Sequence, residues 1–481
     1  MKQVSVRASS KWRLRKARVL LAFCACFCVS VICALSQTQK PELPARGQIT
    51  DVTCASDATQ SYAVYLPSHY TPAKRWPIIY FFDPGGRGRR PLDLYKDVAE
   101  TYGFVLAGSN NSRNFSSDQG KAVNAIGQDT HMRLALDEHR SYASGFSGGA
   151  RVAGAMALSA QSQIAGVIAH GAGYPSNKTA GKDNLPYFFA VGDQDFNWPE
   201  VINIRREREE QGSPYRVRVY AGRHQWAPAD VMEEALQYMN LKAMQAGNLA
   251  PDAALIDHLF DGTKAEAAEA ETRKDPIAQL NAYRSLVADF GGLRNPKEAV
   301  EKIAALQQST ALKAALKGER EQISEQLKIE QEISPKISSI ADNSAPDPAA
   351  LRIEVRQQMG ALSDQAKHGK NETKRLISGR AFSGIFVGAI EGGQQQLTAR
   401  HFEKAEAYFE IMRQVSDDPW PALLLAQTHA AAGNRRLAIK DLQEAVRRGL
   451  KDRAVIESDP QLQSLRGEPQ FQQLLARLEG K

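Results

Sequence analysis

Gly145-Phe146-Ser147-Gly148-Gly149 sets a serine hydroxyl at the centre of a G-x-S-x-G pentapeptide. That spacing suits a strand that runs into a sharp turn and leaves it directly as a helix. A serine hydroxyl is a weak nucleophile at its free pKa, so it acts only with a base to take its proton and an acid to orient the base. Both partner types follow in the chain. Asp195 stands three residues after Gly192, at the end of the apolar run 186–192, with Asp193 in the same turn as the alternative acid. His224 lies in Gly222-Arg223-His224-Gln225-Trp226-Ala227-Pro228. His131 and His139 precede the serine and His170 closes the next apolar run, which leaves His224 as the expected base. Acyl transfer further needs donors for a developing oxyanion. The N–H of Gly148, at a helix start, is one candidate. Gly85 or Gly86, in the loop Asp83-Pro84-Gly85-Gly86-Arg87-Gly88, is the other. That loop lacks the G-x-x-x-x-G-K-[ST] pattern of a phosphate cradle.

These groups come together only if a particular scaffold holds them. Apolar or β-branched runs at 61–67, 76–82, 103–109, 141–147, 164–170, 186–192 and 215–222 are strand candidates. Several are continuously apolar, as in strands covered on both faces. Helical patterns at 91–102 and 150–160 lie between them, and this alternation predicts a mostly parallel sheet with helices on both faces. After about residue 248 strand-like runs cease, and Ala, Glu, Gln, Lys and Leu at helical spacing dominate to the end. Asp342-Asn343-Ser344-Ala345-Pro346-Asp347-Pro348 is a turn-rich break within that helical part.

With Ser147, Asp195 and His224 in chain order, each after a strand, residues 50–245 resemble an α/β-hydrolase. The nearest likeness is to secreted esterases of the polyhydroxybutyrate-depolymerase and feruloyl-esterase kinds. The features that carry it are Tyr65-Leu66-Pro67 in an early strand, Phe82-Asp83-Pro84 leading into the glycine loop, and Gly222, His224, Trp226 and Pro228 at alternate positions. The chain departs from the pattern at the glycine loop, where Asp-Pro-Gly-Gly stands in place of a His-Gly-Gly type sequence. The resemblance implies a serine esterase cycle on a small or polymeric ester, without metal or organic cofactor. Two other readings share the residues: a serine peptidase, and a non-catalytic scaffold that uses the fold for binding.

In the helical part, 401–412 and 434–446 align at an offset of 33 residues, with Ala405 over Ala438 and Phe409 over Leu442. A small residue followed a turn later by a large apolar one resembles tetratricopeptide repeats across 378–478. The resemblance implies a surface for a protein partner. Residues 250–375 form the helical stretch before it. Asn110, Asn111 and Arg113 follow a strand and are either substrate contacts or a hydrogen-bonded turn. Trp198 and Trp226 are either pocket lining or core.

The formal charge of +7 suggests an anionic partner, but seven basic residues crowd the first 18 positions with no acid among them. Without those seven, basic and acidic side chains balance at 54 each, so charge gives no reason to expect nucleic acid. The basic segment precedes the uncharged run 19–36, which ends in Ala34-Leu35-Ser36. This is the layout of a signal peptide over residues 1–36, with an uncleaved membrane anchor as the alternative. Either places the body outside the cytoplasm, in the periplasm or secreted. Four of the five cysteines lie in that run, so Cys54 alone remains and has no internal disulfide partner.

Overall fold

The computed structural model describes residues 42–159, 163–175 and 184–479. Residues 1–36, the expected signal peptide or anchor, lie outside them. Eight strands form one sheet: β1 (Ile49–Thr53), β2 (Ser61–Tyr65), β3 (Trp76–Phe82), β4 (Val105–Ser109), β5 (Leu136–Phe146), β6 (Gly166–His170), β7 (Tyr187–Gly192) and β8 (Tyr215–Tyr220). Their order is β1-β2-β4-β3-β5-β6-β7-β8. β2 runs antiparallel to β1 and β4, and every other pair is parallel. Parallel neighbours need crossovers, and the chain supplies them as helices α1 (Arg89–Tyr102), α2 (Gln119–Arg133), α3 (Gly148–Ser159) and α4 (Trp198–Gln211). α5 (Ala229–Gln245) follows the last strand. The expected fold class is therefore the one observed, a mostly parallel sheet with helices on both faces followed by an all-helical region.

Every residue of β3, Trp-Pro-Ile-Ile-Tyr-Phe-Phe, is buried, because one core lies on each side of the sheet. Ile78, Tyr80 and Phe82 share one core with Ala125 and Ile126 of α2, Ala150 and Ala153 of α3, and Val201 and Ile202 of α4. Ile79 and Phe81 share the core of the opposite face with Leu92 and Tyr95 of α1 and Val231 and Met232 of α5. All the parallel strands consequently present their C-terminal ends, and the loops that follow them, along one edge.

Beyond α5 the helices are α6 (Ala253–Thr272), α7 (Pro276–Phe290), α8 (Lys297–Gln308), α9 (Thr310–Ala341), α10 (Pro348–His368), α11 (Glu372–Thr398), α12 (Phe402–Val415), α13 (Trp420–Ala431), α14 (Arg435–Arg447), α15 (Arg453–Glu457) and α16 (Pro469–Glu479). Their starts are written in the sequence. Asp252, Asp275, Ser309, Asp347 and Asn371 each accept the N–H three residues on, satisfying a donor that has no partner inside the helix. Isoleucines 333, 337 and 340 of α9 share a core with Val355 and Met359 of α10, Ile385 of α11 and Met412 of α12. Among the described residues no helix is long and apolar enough to cross a membrane. Cys54 is a buried free thiol, pushed up to about 11 chiefly by burial.

The helical region is fastened to the sheet. Ile323 of α9 enters the core on the α4 face. Beside it Glu319 pairs with Arg205 of α4, their side chains only 9% and 5% exposed. Removing one partner strands a buried charge, so Glu319→Ala should cost about 3–5 kcal/mol in urea unfolding. Replacing both residues by apolar ones should recover much of that loss.

Near the C-terminus Ala405, Ala438, Phe409 and Leu442 are all buried. His429 of α13 lies 2.7 Å from Asp441 and 3.5 Å from Glu406. Its hydrogen bond to Asp441 outweighs burial and raises its pKa above the ordinary histidine value. A raised folded pKa gives a contribution to stability that is complete below about pH 6.5, the unfolded value, and is lost as pH rises through the folded one. The melting temperature should therefore drop more between about pH 6 and pH 8 in the parent than in His429→Gln.

Candidate active site

Ser147 occupies the turn between β5 and α3 with φ of +54°. A side-chain-bearing residue in the left-handed region is strained, and such strain persists only where the surroundings enforce it. Here they do. Its N–H donates to the His170 carbonyl at 2.8 Å, and its own carbonyl accepts from the Ala150 N–H at 3.0 Å. The glycines around it allow the chain to pass. A Cβ at Gly145 would lie 2.1 Å from the Gly149 carbonyl oxygen, and one at Gly149 would lie 1.9 Å from that of Phe82. The helix start is thus pressed against the end of β3, and the serine is held at the C-terminal edge of the sheet.

Asp195 lies in the turn after β7 and is fully buried. Both its carboxylate oxygens are within reach of His224 Nδ1, at 2.9 and 3.0 Å. One of them also accepts the Asn197 N–H at 2.8 Å. Asp193 has a different task, accepting the N–H of Gly222 at 3.0 Å and so bracing the loop that carries His224. A carboxylate only accepts, so the His224 proton sits on Nδ1 and Nε2 is left with a free lone pair. The imidazole is held between two rings, Phe146 at 4.5 Å and Phe196 at 4.2 Å between centroids. Among the described residues no hydrogen bond joins the Ser147 hydroxyl to it. His170, by contrast, is wholly buried against Tyr95 and Trp226, and burial pushes it down to about 3.

The glycine loop corrects one expectation. The Gly85 N–H donates to the Asp83 carboxylate at 2.8 Å, and the Gly86 N–H donates to the Asp83 carbonyl at 2.9 Å. Pro84 has no N–H to give. Gly85 and Gly86 are therefore engaged within their own turn rather than left for an oxyanion. The buried Asp83 also accepts from Arg87 Nε at 2.8 Å and from Trp226 Nε1 at 3.1 Å. This explains the departure from a His-Gly-Gly sequence. The aspartate ties the glycine loop to the segment that bears His224.

Trp226 and Trp198 are both core residues. Asn110 and Asn111 are spent on the turn, Asn110 accepting from the Gly88 N–H and Asn111 from the Ser61 N–H. Two residues that sequence reading passed over do reach the site. A cavity of about 970 Å³ is lined by Ser147, Gly148, Arg151, Asn114, Phe196 and Glu391, among others. Asn114 follows β4, and its side chain lies against Gly148, where an added Cβ would fall 2.0 Å from Asn114 Oδ1. Glu391 comes from α11, 277 positions further along, and accepts from Asn114 Nδ2 at 3.5 Å. Burial raises its carboxyl above the usual range, with His224, Arg151 and Asn114 drawing it back. Arg151 itself forms a two-pronged pair with Glu200 at 2.7 and 2.8 Å.

The helical region also grips the turn that bears the acid. Gln326 of α9 donates to the Phe196 carbonyl at 2.9 Å. Arg380 of α11 donates to the Asp193 carbonyl at 3.2 Å and stacks 4.2 Å over Trp198. Burial lowers Arg380 to about 10, against the pull of Asp193 and Glu330. Among the described residues no three His, Cys, Asp or Glu side chains gather as metal ligands.

No family model matches the sequence, and no curated protein matches it. Solved structures that align with it include an S-formylglutathione hydrolase of Staphylococcus aureus, 12% identical over 41% of this chain and 99% of that one, with a TM-score of 0.33. A Thermogutta terrifontis esterase phosphorylated by paraoxon is 15% identical over 44% and 98%, TM-score 0.33. A Pyrobaculum calidifontis esterase is 13% identical over 42% and 85%, also with a TM-score of 0.33.

Proposed function

We propose that this chain is a serine hydrolase that cleaves carboxylic esters, acting outside the cytoplasm. The observation that carries the reading is the strained backbone of Ser147, which holds it at the sheet edge on a cavity, while the His224–Asp195 pair packs on the ring of the neighbouring Phe146. On this reading Ser147 Oγ attacks the ester carbonyl as His224 Nε2 takes its proton, while Asp195 holds the imidazole and offsets its new charge. The Gly148 N–H, at the start of α3, supports the oxyanion. The imidazolium then protonates the departing alkoxide, leaving an acyl-serine. Water, deprotonated by His224, hydrolyses that ester and restores the hydroxyl. On this reading the hydrogen bond from the Ser147 hydroxyl to His224 forms as substrate enters, since catalytic hydrogen bonds are commonly long or unmade in apo enzymes.

Within the same proposal, residues 1–36 direct export and helices α12 to α14 offer a surface for a protein partner. The test is a fluorophosphonate probe on the purified full chain, followed by matched ester and peptide panels. Covalent labelling with turnover of esters and not peptides supports the reading. Peptide turnover makes the chain a peptidase. A folded protein that neither labels nor turns over either class makes it a non-catalytic binding protein.

A further inference from the structure

We propose that the side-chain amide of Asn114 is the second oxyanion donor of this site, and that Glu391 of α11 holds that amide in place. The proposal rests on reading Ser147 as the nucleophile.

An acyl-transfer site built on this turn needs a donor besides the Gly148 N–H. Neither candidate glycine of the loop has one to spare, since Asp83 takes the N–H groups of Gly85 and Gly86, and Pro84 has none. Asn114 stands where a replacement is required. Its backbone N–H donates to the Pro84 carbonyl at 2.8 Å, which moors it to the same loop. Its carboxamide lies against Gly148 and faces the cavity that Ser147 lines. The next residue, Phe115, has φ of +62°. That second strained, non-glycine backbone beside the cavity marks a loop whose shape is imposed.

Glu391 fixes which end of the amide does the work. A carboxylate can only accept, so the nitrogen of Asn114 turns toward it. An amide nitrogen carries two protons. One goes to Glu391 at 3.5 Å, and the other is free for an oxyanion. Held on two sides, the amide loses little freedom when the charge develops, the condition under which such a donor is effective. Glu391 has no ion pair among the described residues, and burial raises its carboxyl above the usual range. Asn114 acts on the reacting atoms, whereas Glu391 is a positioning residue. The helical region thereby completes a site whose other parts lie on the sheet.

The experiment is steady-state hydrolysis of p-nitrophenyl butyrate by the full chain, with fluorophosphonate labelling of Ser147 and a melting curve for each variant. Asn114→Ala and the near-isosteric Asn114→Asp should each lower kcat about 10²–10³-fold while KM moves little. Glu391→Ala should lower kcat about tenfold. Glu391→Gln, which still offers a carbonyl oxygen, should recover most of that loss. If the parent labels and hydrolyses but both Asn114 variants keep its kcat, or change KM alone, Asn114 is not the donor. If Glu391→Ala matches the parent, the helix does not position the amide. A parent that neither labels nor hydrolyses defeats the reading of Ser147, and this proposal falls with it.

Discussion

Ser147→Ala and His224→Ala should each reduce ester turnover by about 10⁴-fold or more, and the double variant should be scarcely worse than either alone. Non-additivity is the informative part. A nucleophile and its base act as one unit, so removing either leaves only binding and oxyanion support. Asp195→Asn belongs to the same series. It keeps the shape of a side chain 2.9 Å from His224 Nδ1, but it offers an N–H where the imidazole also has one to give, and it favours the wrong tautomer. Its expected loss is about 10³–10⁴-fold in kcat. Asp193→Asn retains a carbonyl oxygen for the Gly222 N–H and should cost far less. Because Asp193 and Asp195 are two residues apart, that contrast separates the acid that orients the base from the acid that braces its loop. Equal losses at the two positions would undo the assignment. Melting curves that superimpose on the parent's would keep the comparison one of chemistry.

What the sequence disclosed follows from where physical constraints are strict. The central strands were legible because burial on both faces demands unbroken apolar runs, as in Trp76–Phe82. The edge strand Ile49–Thr53 escaped notice because only one side of it is paired and half-exposed Ile-Thr-Asp-Val-Thr makes no such run. Ser147, Asp195 and His224 stand out as candidates because acyl transfer needs those types in chain order after strands, here β5, β7 and β8. Asn114 and Glu391 could not. One is among several polar residues after β4, where Asn110 and Asn111 read equally well and proved to be turn contacts. The other is an ordinary glutamate on a helix, and nothing local reveals that a segment 277 residues away folds back over the serine. Asp83 shows a third case. It stands where the resembled esterases carry a His-Gly-Gly type sequence, and only the contact with Trp226 shows that it bridges two loops.

Gly149→Ala should be among the most damaging single-methyl changes in the described residues. The added carbon would lie 1.9 Å from the Phe82 carbonyl oxygen, 2.6 Å from its carbon and 3.3 Å from the Asp83 nitrogen. All three are backbone atoms of a strand held on both sides by β4 and β5, so there is no flexible side chain to yield. Relief requires α3 to move off the sheet, and that face buries Ala150, Val152 and Ala153 against the core. The expected penalty is about 4 kcal/mol or more, in the range where overpacking and backbone strain combine. The displaced helix start would carry Ser147 away from His224 and shift Gly148 against Asn114, so whatever folds should also fail to label with a fluorophosphonate. Gly127→Ala gives the contrast. That glycine lies within α2, an added Cβ there has nothing within 4 Å, and replacing a helical glycine by alanine should stabilise by about 0.5–1 kcal/mol. Urea unfolding of the two variants side by side checks both signs at once. A Gly149→Ala protein as stable and as reactive as the parent would mean that the close approach of α3 to β3 is not what holds the serine in its strained turn.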